Sequence, residues 1–456
     1  MPAFDKMKLE ELVCKEGFDC ECGKHHVCAM EYLKIERGAI RYLTEMLDAL
    51  GSRYPMVVCD DNTYEAAGKL VCSILDDAGI QYLLHIIKNN NSTRIAPAEW
   101  EVGSVLFALD PKCDLILGVG AGVINDTCKV VSFACGKECA IVGTAPSMDG
   151  FASNSSSMEV NHVKVSLYNH APVGILLDPD IMANAPLRML QAGFGDMMAK
   201  FCSLCEWRIS AIVYGDDYCE NIAQIMRTAM KNILDASDGI VKRDPDAVQK
   251  IAEGLMLAGI AMSYAKISRP ASGLEHYFSH MWEMQALDRN KGYDLHGIQV
   301  GIGTVLTLKI LKKLRTEVPD RAKAEAWMKA FDEKKWTDDI NRLFGKTAPE
   351  IFAIENKAHK NNPAFHARRL DLIINNWDEI CRIMDEELPD YDYLYAKMVA
   401  TGMPMHPSDI DISVDDTVDA FLGSRDVRDK YLTSTLIWDL GLTEEYAQFV
   451  RENCEA

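Results

Sequence analysis

Apolar positions in the first part of this 456-residue chain fall in short uninterrupted runs, whereas beyond residue 180 they recur every three or four positions over longer stretches. Strands buried on both faces read as continuous apolar runs, so the first texture predicts a parallel sheet with crossover helices. Strands are expected over 56–61, 80–87, 113–120, 140–143 and 173–178, with a helix over 62–78. The polar run SNSSSMEVNHVKVSLYNH between the last two strands is expected to form a hairpin or long loop. The second texture predicts helices over 196–213, 216–235, 244–266, 274–287, 296–314, 321–331 and 363–388. The expectation is therefore an α/β amino-terminal Rossmann-like domain, 1–180, followed by an all-α carboxyl-terminal domain, 181–456. No fixed-period repeat interrupts this plan.

Charge and composition remove whole classes of function. The 68 acidic residues exceed the 48 basic ones, a formal charge of −20, and a nucleic-acid or anionic-membrane binder needs the opposite balance. The longest apolar candidate, 115–124, is cut by glycines and falls short of the ~18 residues of a membrane span. The amino terminus MPAFDKMKLEELVCKEG mixes both charge signs without an apolar core, so no secretory signal is read and the cytoplasm is the expected compartment. A small-molecule substrate is expected, with no nucleic acid and no membrane insertion, and symmetric dimers are common enough among metabolic enzymes to make a homodimer the expected assembly.

The 15 cysteines form an odd number without repeated spacing, the pattern of reduced thiols used as small hydrophobes. One denser group, Cys14, Cys20, Cys22, His25, His26 and Cys28, has the donors for zinc. It contains no C-x-x-C pair and its spacing is irregular, which favours core thiols. Cys202 and Cys205 lie in a helical pattern and are read the same way.

Three features carry candidate chemistry. The run GVGAGVIND, 118–126, follows an apolar strand and opens a helix, so glycine backbone can approach a phosphate at a helix N-terminus. It is not the G-x-G-x-x-G fingerprint, because Val123 stands at the last glycine position. The run TAPSMDGFAS, 144–153, follows the next strand, and loops at successive strand ends line one crevice in an open α/β sheet. There Thr144, Ser147 and Ser153 can hydrogen-bond a dinucleotide and Asp149 a hydroxylated substrate. In the helical half, His276 and His280 share a helix face, His296 follows, and AGFGD presents Asp196 where a loop is expected to give way to a helix. A carboxylate and two imidazoles suit a catalytic metal, since three ligands leave a coordination position open.

Together these motifs resemble the family of sn-glycerol-1-phosphate dehydrogenases, within the superfamily of iron- or zinc-dependent polyol dehydrogenases and dehydroquinate synthases. The most specific pieces are T-A-x-S-x-D-G-x-A-S at 144–153, G-x-G-D at 193–196, S-R-P-A-S-G-x-E-H-x-x-S-H at 268–280 and L-H-G at 295–297. The resemblance implies a dehydroquinate synthase-like two-domain fold and NAD(P)H-dependent reduction of dihydroxyacetone phosphate, a step of phospholipid metabolism. It also implies that Gly122, Val123, Ile124, Asn125 and Asp126, with Thr144, Ala145, Pro146, Ser147 and Ser153, contact NAD(H) or NADP(H), Gly118 and Gly120 completing the turn. Asp196, His276 and His296 would hold one divalent metal, zinc foremost with nickel or iron as alternatives, while Asp149, Asp196 and His280 face the substrate. His280 is the expected proton relay, because an imidazole titrates near working pH. Ala121, Pro146 and Met148 depart from the commoner pattern of the family.

The nearest alternative is a metal-dependent glycerol or polyol dehydrogenase acting on an unphosphorylated substrate. It would need no cationic cradle for a phosphate, and Lys129, Lys164, Lys200, Arg208 and Arg269 are the cations nearest the motifs in sequence. Carbocycle-forming synthases of the same fold are disfavoured by Asp196 in the ligand set, and a catalytically silent binding protein by the presence of all three ligands. Asp60, at the end of an early strand, is a candidate acceptor for a ribose hydroxyl or a simple turn residue.

Overall fold

The computed structural model describes residues 9–13, 16–89, 95–161 and 163–456. The chain forms two compact units, Met1–Met197 with Cys219–Ser268, and Met198–Tyr218 with Arg269–Ala456.

After a single helical turn at Leu9–Leu12 the first unit forms a hairpin of β1 (Phe18–Asp19) and β2 (His25–His26), followed by β3 (Tyr32–Ile35), β4 (Pro55–Asp60), β5 (Leu83–Ile87), β6 (Leu115–Gly120) and β7 (Glu138–Gly143). An antiparallel hairpin, β8 (Ser155–Val160) and β9 (Val163–Tyr168), precedes β10 (Gly174–Leu177). Six strands make one sheet in the order β3-β10-β7-β6-β4-β5, with every pair parallel. The apolar runs explain it, since all residues of β6 and β10 are buried. One face packs Val57, Leu117, Val119 and Val142 against Leu43, Met46 and Leu47 of the preceding helix and Val71 and Leu75 of α1 (Lys69–Asp77). The strand expected over 80–87 begins at Leu83, and the edge strand β3 was not legible because YLKI is short and half polar.

Helix α2 (Glu99–Ala108) precedes β6, and α3 (Gly122–Cys135) follows it. The chain runs from β4 outward to β5 and back to β6 on the other side of β4, so the order reverses between β4 and β6. Ligands of open α/β sheets bind beyond the strand ends at such a reversal. After β10 comes α4 (Leu187–Met198), and α5 (Lys200–Val213) belongs to the second unit. The chain then returns to the first unit with α6 (Glu220–Ala236) and α7 (Pro245–Ala265).

Among the described residues the rest of the second unit is helical, beginning with α8 (Leu274–Asp288) and α9 (His296–Leu314). The expected architecture, an α/β amino-terminal part followed by helices, is thus observed. The single helix expected over 363–388 is two, Pro363–Asn375 and Trp377–Glu387. Between them Asn376 turns its side-chain amide back onto the Leu372 carbonyl at 2.7 Å, the local competition with the backbone that asparagine offers. No described helix is long and apolar enough to cross a membrane.

Candidate active site

At the end of β6 the glycines divide their labour. A Cβ on Gly118 would stand 2.8 Å from the Ile141 side chain and 3.0 Å from Cys128 Sγ, and one on Gly120 would meet Ile124 at 2.5 Å. Their bareness lets α3 pack tightly on the sheet. Gly122 is different, for an added Cβ there would make only ordinary contact with Met148 Cγ at 3.5 Å. Ala121, the N-cap of α3, brings no capping side chain, so the first-turn N–H groups form an anion-seeking helix end. Asp60, the neighbouring strand's last residue, is an N-cap, accepting the Thr63 N–H at 2.7 Å while its own N–H donates to Thr63 Oγ1 at 2.9 Å.

The 144–153 loop is fastened to this turn. Thr144 N–H donates to the Gly120 carbonyl at 3.1 Å, and the Asn125 amide donates to the Gly150 carbonyl at 3.3 Å. Lys129, fully buried on α3, is the anchor: its ammonium donates to the Gly150 and Ser155 carbonyls at 3.1 and 2.5 Å and to Ser153 Oγ at 3.2 Å, and pairs with Asp126 at 3.2 Å. Asp126 also accepts the Ser157 N–H at 3.0 Å. Lys129 is therefore a strut for this loop, and Asp126 and Ser153 are held in the same network.

The structure corrects the expectation that AGFGD ends a loop and starts a helix. Asp196 lies in the last turn of α4, with both glycines inside that helix. The reason is close approach, since a Cβ on Gly193 would fall 1.8 Å from the Pro146 carbonyl oxygen. Glycine here lets helix and loop touch, bringing the Asp149 N–H within 3.0 Å of Asp196 Oδ2. Asp196 is fully buried.

In the second unit, His276 and His280 on α8 converge with His296 at the start of α9. The His296 ring centroid lies 5.4 Å from that of His276 and 5.8 Å from that of His280. His276 Nδ1 lies 3.0 Å from Glu275 Oε1, and His296 Nδ1 lies 3.0 Å from Ser279 Oγ and 3.6 Å from Glu283 Oε1. With Nδ1 of His276 and of His296 held by the protein, Nε2 is the nitrogen that would meet a metal. The donor set passes the test of ligand orientation by outer partners: each imidazole has a fixed Nδ1 partner, and Asp196 has one oxygen on a backbone N–H. Burial, and after it the His296 imidazole, hold His280 well below the ordinary imidazole range.

Behind these helices Glu206 on α5 accepts the N–H of Leu274 and the N–H of Thr433, each at 3.1 Å. Burial, then the nearby Glu275 carboxylate, push its carboxyl up to about 7. Of the cations nearest the motifs in sequence, Lys200 donates to the Ala271 carbonyl at 2.9 Å, Arg208 pairs with Glu387 at 2.7 Å, and Arg269 pairs with Asp216. Sequence reasoning missed Lys430 and Arg428. Lys430 Nζ lies 5.9 Å from the Tyr277 ring centroid and donates to the Ser272 carbonyl at 3.3 Å. Burial, then Arg269, push its ammonium down to about 7. Arg428 adds positive field at both His280 and Lys430, and neither cation forms an ion pair among the described residues. The sequence signal was the dense charge of SRDVRDK, which reads equally as a solvated loop.

The sequence profile of iron-containing alcohol dehydrogenases matches residues 34–186. The glycerol-1-phosphate dehydrogenase [NAD(P)+] of Halalkalibacterium halodurans is 34% identical over 64% of this chain and 74% of its own length. That of Bacillus licheniformis is 30% identical over 74% of this chain and 85% of its own length. Among solved structures, glycerol dehydrogenase from Schizosaccharomyces pombe aligns with a TM-score of 0.58 over 93% of this chain and 91% of that one, at 14% identity. At that identity the likeness concerns the fold, which is that of the iron-containing alcohol dehydrogenases and the dehydroquinate synthase-like proteins. With its strand-end loops, its imidazole trio and a third of the aligned residues identical over about three quarters of a relative's length, the chain belongs to the glycerol-1-phosphate dehydrogenase family.

Proposed function

We propose that this protein reduces dihydroxyacetone phosphate to sn-glycerol 1-phosphate, and catalyses the reverse, using NADH or NADPH and a divalent metal, zinc foremost, held by Asp196, His276 and His296. When bound, the metal supplies Lewis acidity at the carbonyl oxygen and the nicotinamide supplies the hydride. The chain's own groups bind and orient. The helix end at Gly122 and Val123 receives the dinucleotide pyrophosphate, and Thr144 and Ser147 on the adjoining loop contact the rest of the cofactor. Asp149 accepts a substrate hydroxyl. His280, neutral, passes a proton to the C2 oxygen by donating from one ring nitrogen while the other is refilled from water. A homodimer belongs to the same proposal, and sedimentation analysis checks it.

The observation that carries the phosphorylated substrate is Lys430: a half-buried ammonium beside Tyr277 that forms no ion pair among the described residues, with the exposed Arg428 adding positive field at it and at His280. A desolvated ammonium seeks an anion, and a substrate phosphate satisfies it. An unphosphorylated polyol would leave that ammonium with no anion closer than the field of Glu275 and Glu206. The deciding experiment compares NADH oxidation with dihydroxyacetone phosphate and dihydroxyacetone at equal concentration, in metal-analysed protein. Metal-dependent turnover confined to the phosphorylated ketone, giving the 1-phosphate enantiomer, is expected. Preference for dihydroxyacetone would move the protein to the polyol dehydrogenases. Lys430→Met should raise KM for the phosphorylated ketone by about 10- to 100-fold, the worth of one charge-assisted hydrogen bond, and leave kcat/KM for dihydroxyacetone unchanged.

A further inference from the structure

The amino-terminal hairpin is too short to hold itself together. Two-residue strands pair Phe18 with His26 and Asp19 with His25, and an isolated hairpin even of ordinary length is marginal in water. What gathers at its end is a set of soft donors. Sγ of Cys20, Sγ of Cys22, a ring nitrogen of His26 and Sγ of Cys219 all lie within 4.8 Å of one another. Cys20 Sγ is 3.6 Å from Cys219 Sγ, His26 Nε2 is 3.6 Å from Cys219 Sγ, and Cys22 Sγ is 3.2 Å from His26 Nε2.

We infer that Cys20, Cys22, His26 and Cys219 form a structural zinc site, separate from the candidate active site, that clips the amino-terminal hairpin to the start of α6. Three observations carry it. First, zinc bonds of about 2.3 Å to sulfur and about 2.0 Å to nitrogen, arranged tetrahedrally, separate the sulfurs by about 3.8 Å and sulfur from nitrogen by about 3.5 Å. Three of the six donor spacings, 3.2, 3.6 and 3.6 Å, lie close to those figures, and the other three fall within 4.8 Å. Second, His26 Nδ1 lies 2.9 Å from the Tyr264 carbonyl and the ring stacks on Tyr264 at 5.6 Å. Donation to that carbonyl fixes the tautomer with its lone pair on Nε2, toward the thiols, the outer-partner arrangement of metal-bound histidine. Third, Cys219 is the N-cap of α6, on an element that can clip the hairpin, and the Asn221 amide donates to Cys20 Sγ at 3.3 Å. Three thiolates with one imidazole leave no open position, which marks the site as structural and selects zinc over harder cations. Binding converts three thiols to thiolates, releases their protons and leaves one net negative charge. Lys24 and Lys266, whose charges reach His26, offset it.

The ligands could not be joined in the sequence, for Cys219 follows His26 by 193 positions. The test uses the full-length protein after dialysis against a mild chelator. Metal analysis should find about one zinc per chain that survives in His276→Ala, a variant lacking a proposed catalytic ligand, and is lost in Cys22→Ser and Cys219→Ala. The cobalt-substituted His276→Ala protein should show thiolate-to-cobalt charge-transfer absorption and tetrahedral d–d bands, and both should vanish on adding Cys22→Ser. Cys22 lies at the exposed end of the cluster, so its replacement tests the site even where Cys219→Ala fails to fold. Absence of thiolate–cobalt absorption, zinc content indifferent to Cys22→Ser, or a Cys20–Cys219 disulfide in protein purified under reducing conditions would each overturn the inference.

Discussion

Single residues here do work that their type alone does not announce. Lys129 reads in sequence as a cation for a phosphate, but its ammonium is spent on the 150–155 backbone and on Asp126. Replacing it by methionine strands those buried oxygens and should lower stability by about 3 kcal/mol, read in urea melts, with cofactor affinity falling as the loop loosens. Gly193 reads as a helix breaker, yet it sits inside α4 because nothing larger fits beside the Pro146 carbonyl. Gly193→Ala forces helix and loop apart and should cost about 1–3 kcal/mol or more, together with most of the activity, since Asp196 rides on that helix. A Gly122→Ala protein is the control for the stability loss alone, because the space at that position is ordinary.

At the scale of elements, the second unit is organised around helix starts that meet a carboxylate. Glu206 takes the first N–H of α8 and the first N–H of helix Thr433–Asp439, tying both to α5. Its folded carboxyl holds a proton up to about pH 7 against an ordinary 4.5. Between those values the folded chain binds more protons than the unfolded one, so through this group stability is greatest below pH 4.5 and falls as pH rises through about 7. At about 1.4 kcal/mol per unit the effect is measurable in melts between pH 5 and 7.5, and Glu206→Gln should flatten that slope. The elements themselves were legible where one period dominated: β6, β7, α8 and α9 appear where the apolar pattern put them. Patterns failed where a single residue overrode the period, as Asn376 does in splitting one expected helix.

At the scale of the molecule, the two-part architecture was readable because hydrophobic texture changes along the chain, and the histidines because α8 carries two of them one turn apart. The cations Lys430 and Arg428 and the donor Cys219 were not, since each reaches its neighbours through the fold and has no local pattern. The chain's excursion through α5 has a further consequence, which concerns synthesis. The sheet is complete at Leu177, but the first unit closes only when α6 and α7 have been made, ending at Ser268. At about 5–20 residues per second that interval lasts several seconds, during which the sheet waits on the ribosome without its last helices and the hairpin at residues 18–26 without Cys219. A fragment ending at residue 197 should therefore remain protease-sensitive, and one ending at residue 268 should gain protection. The hairpin at residues 18–26, translated before the sheet, is among the last parts of its unit to be secured.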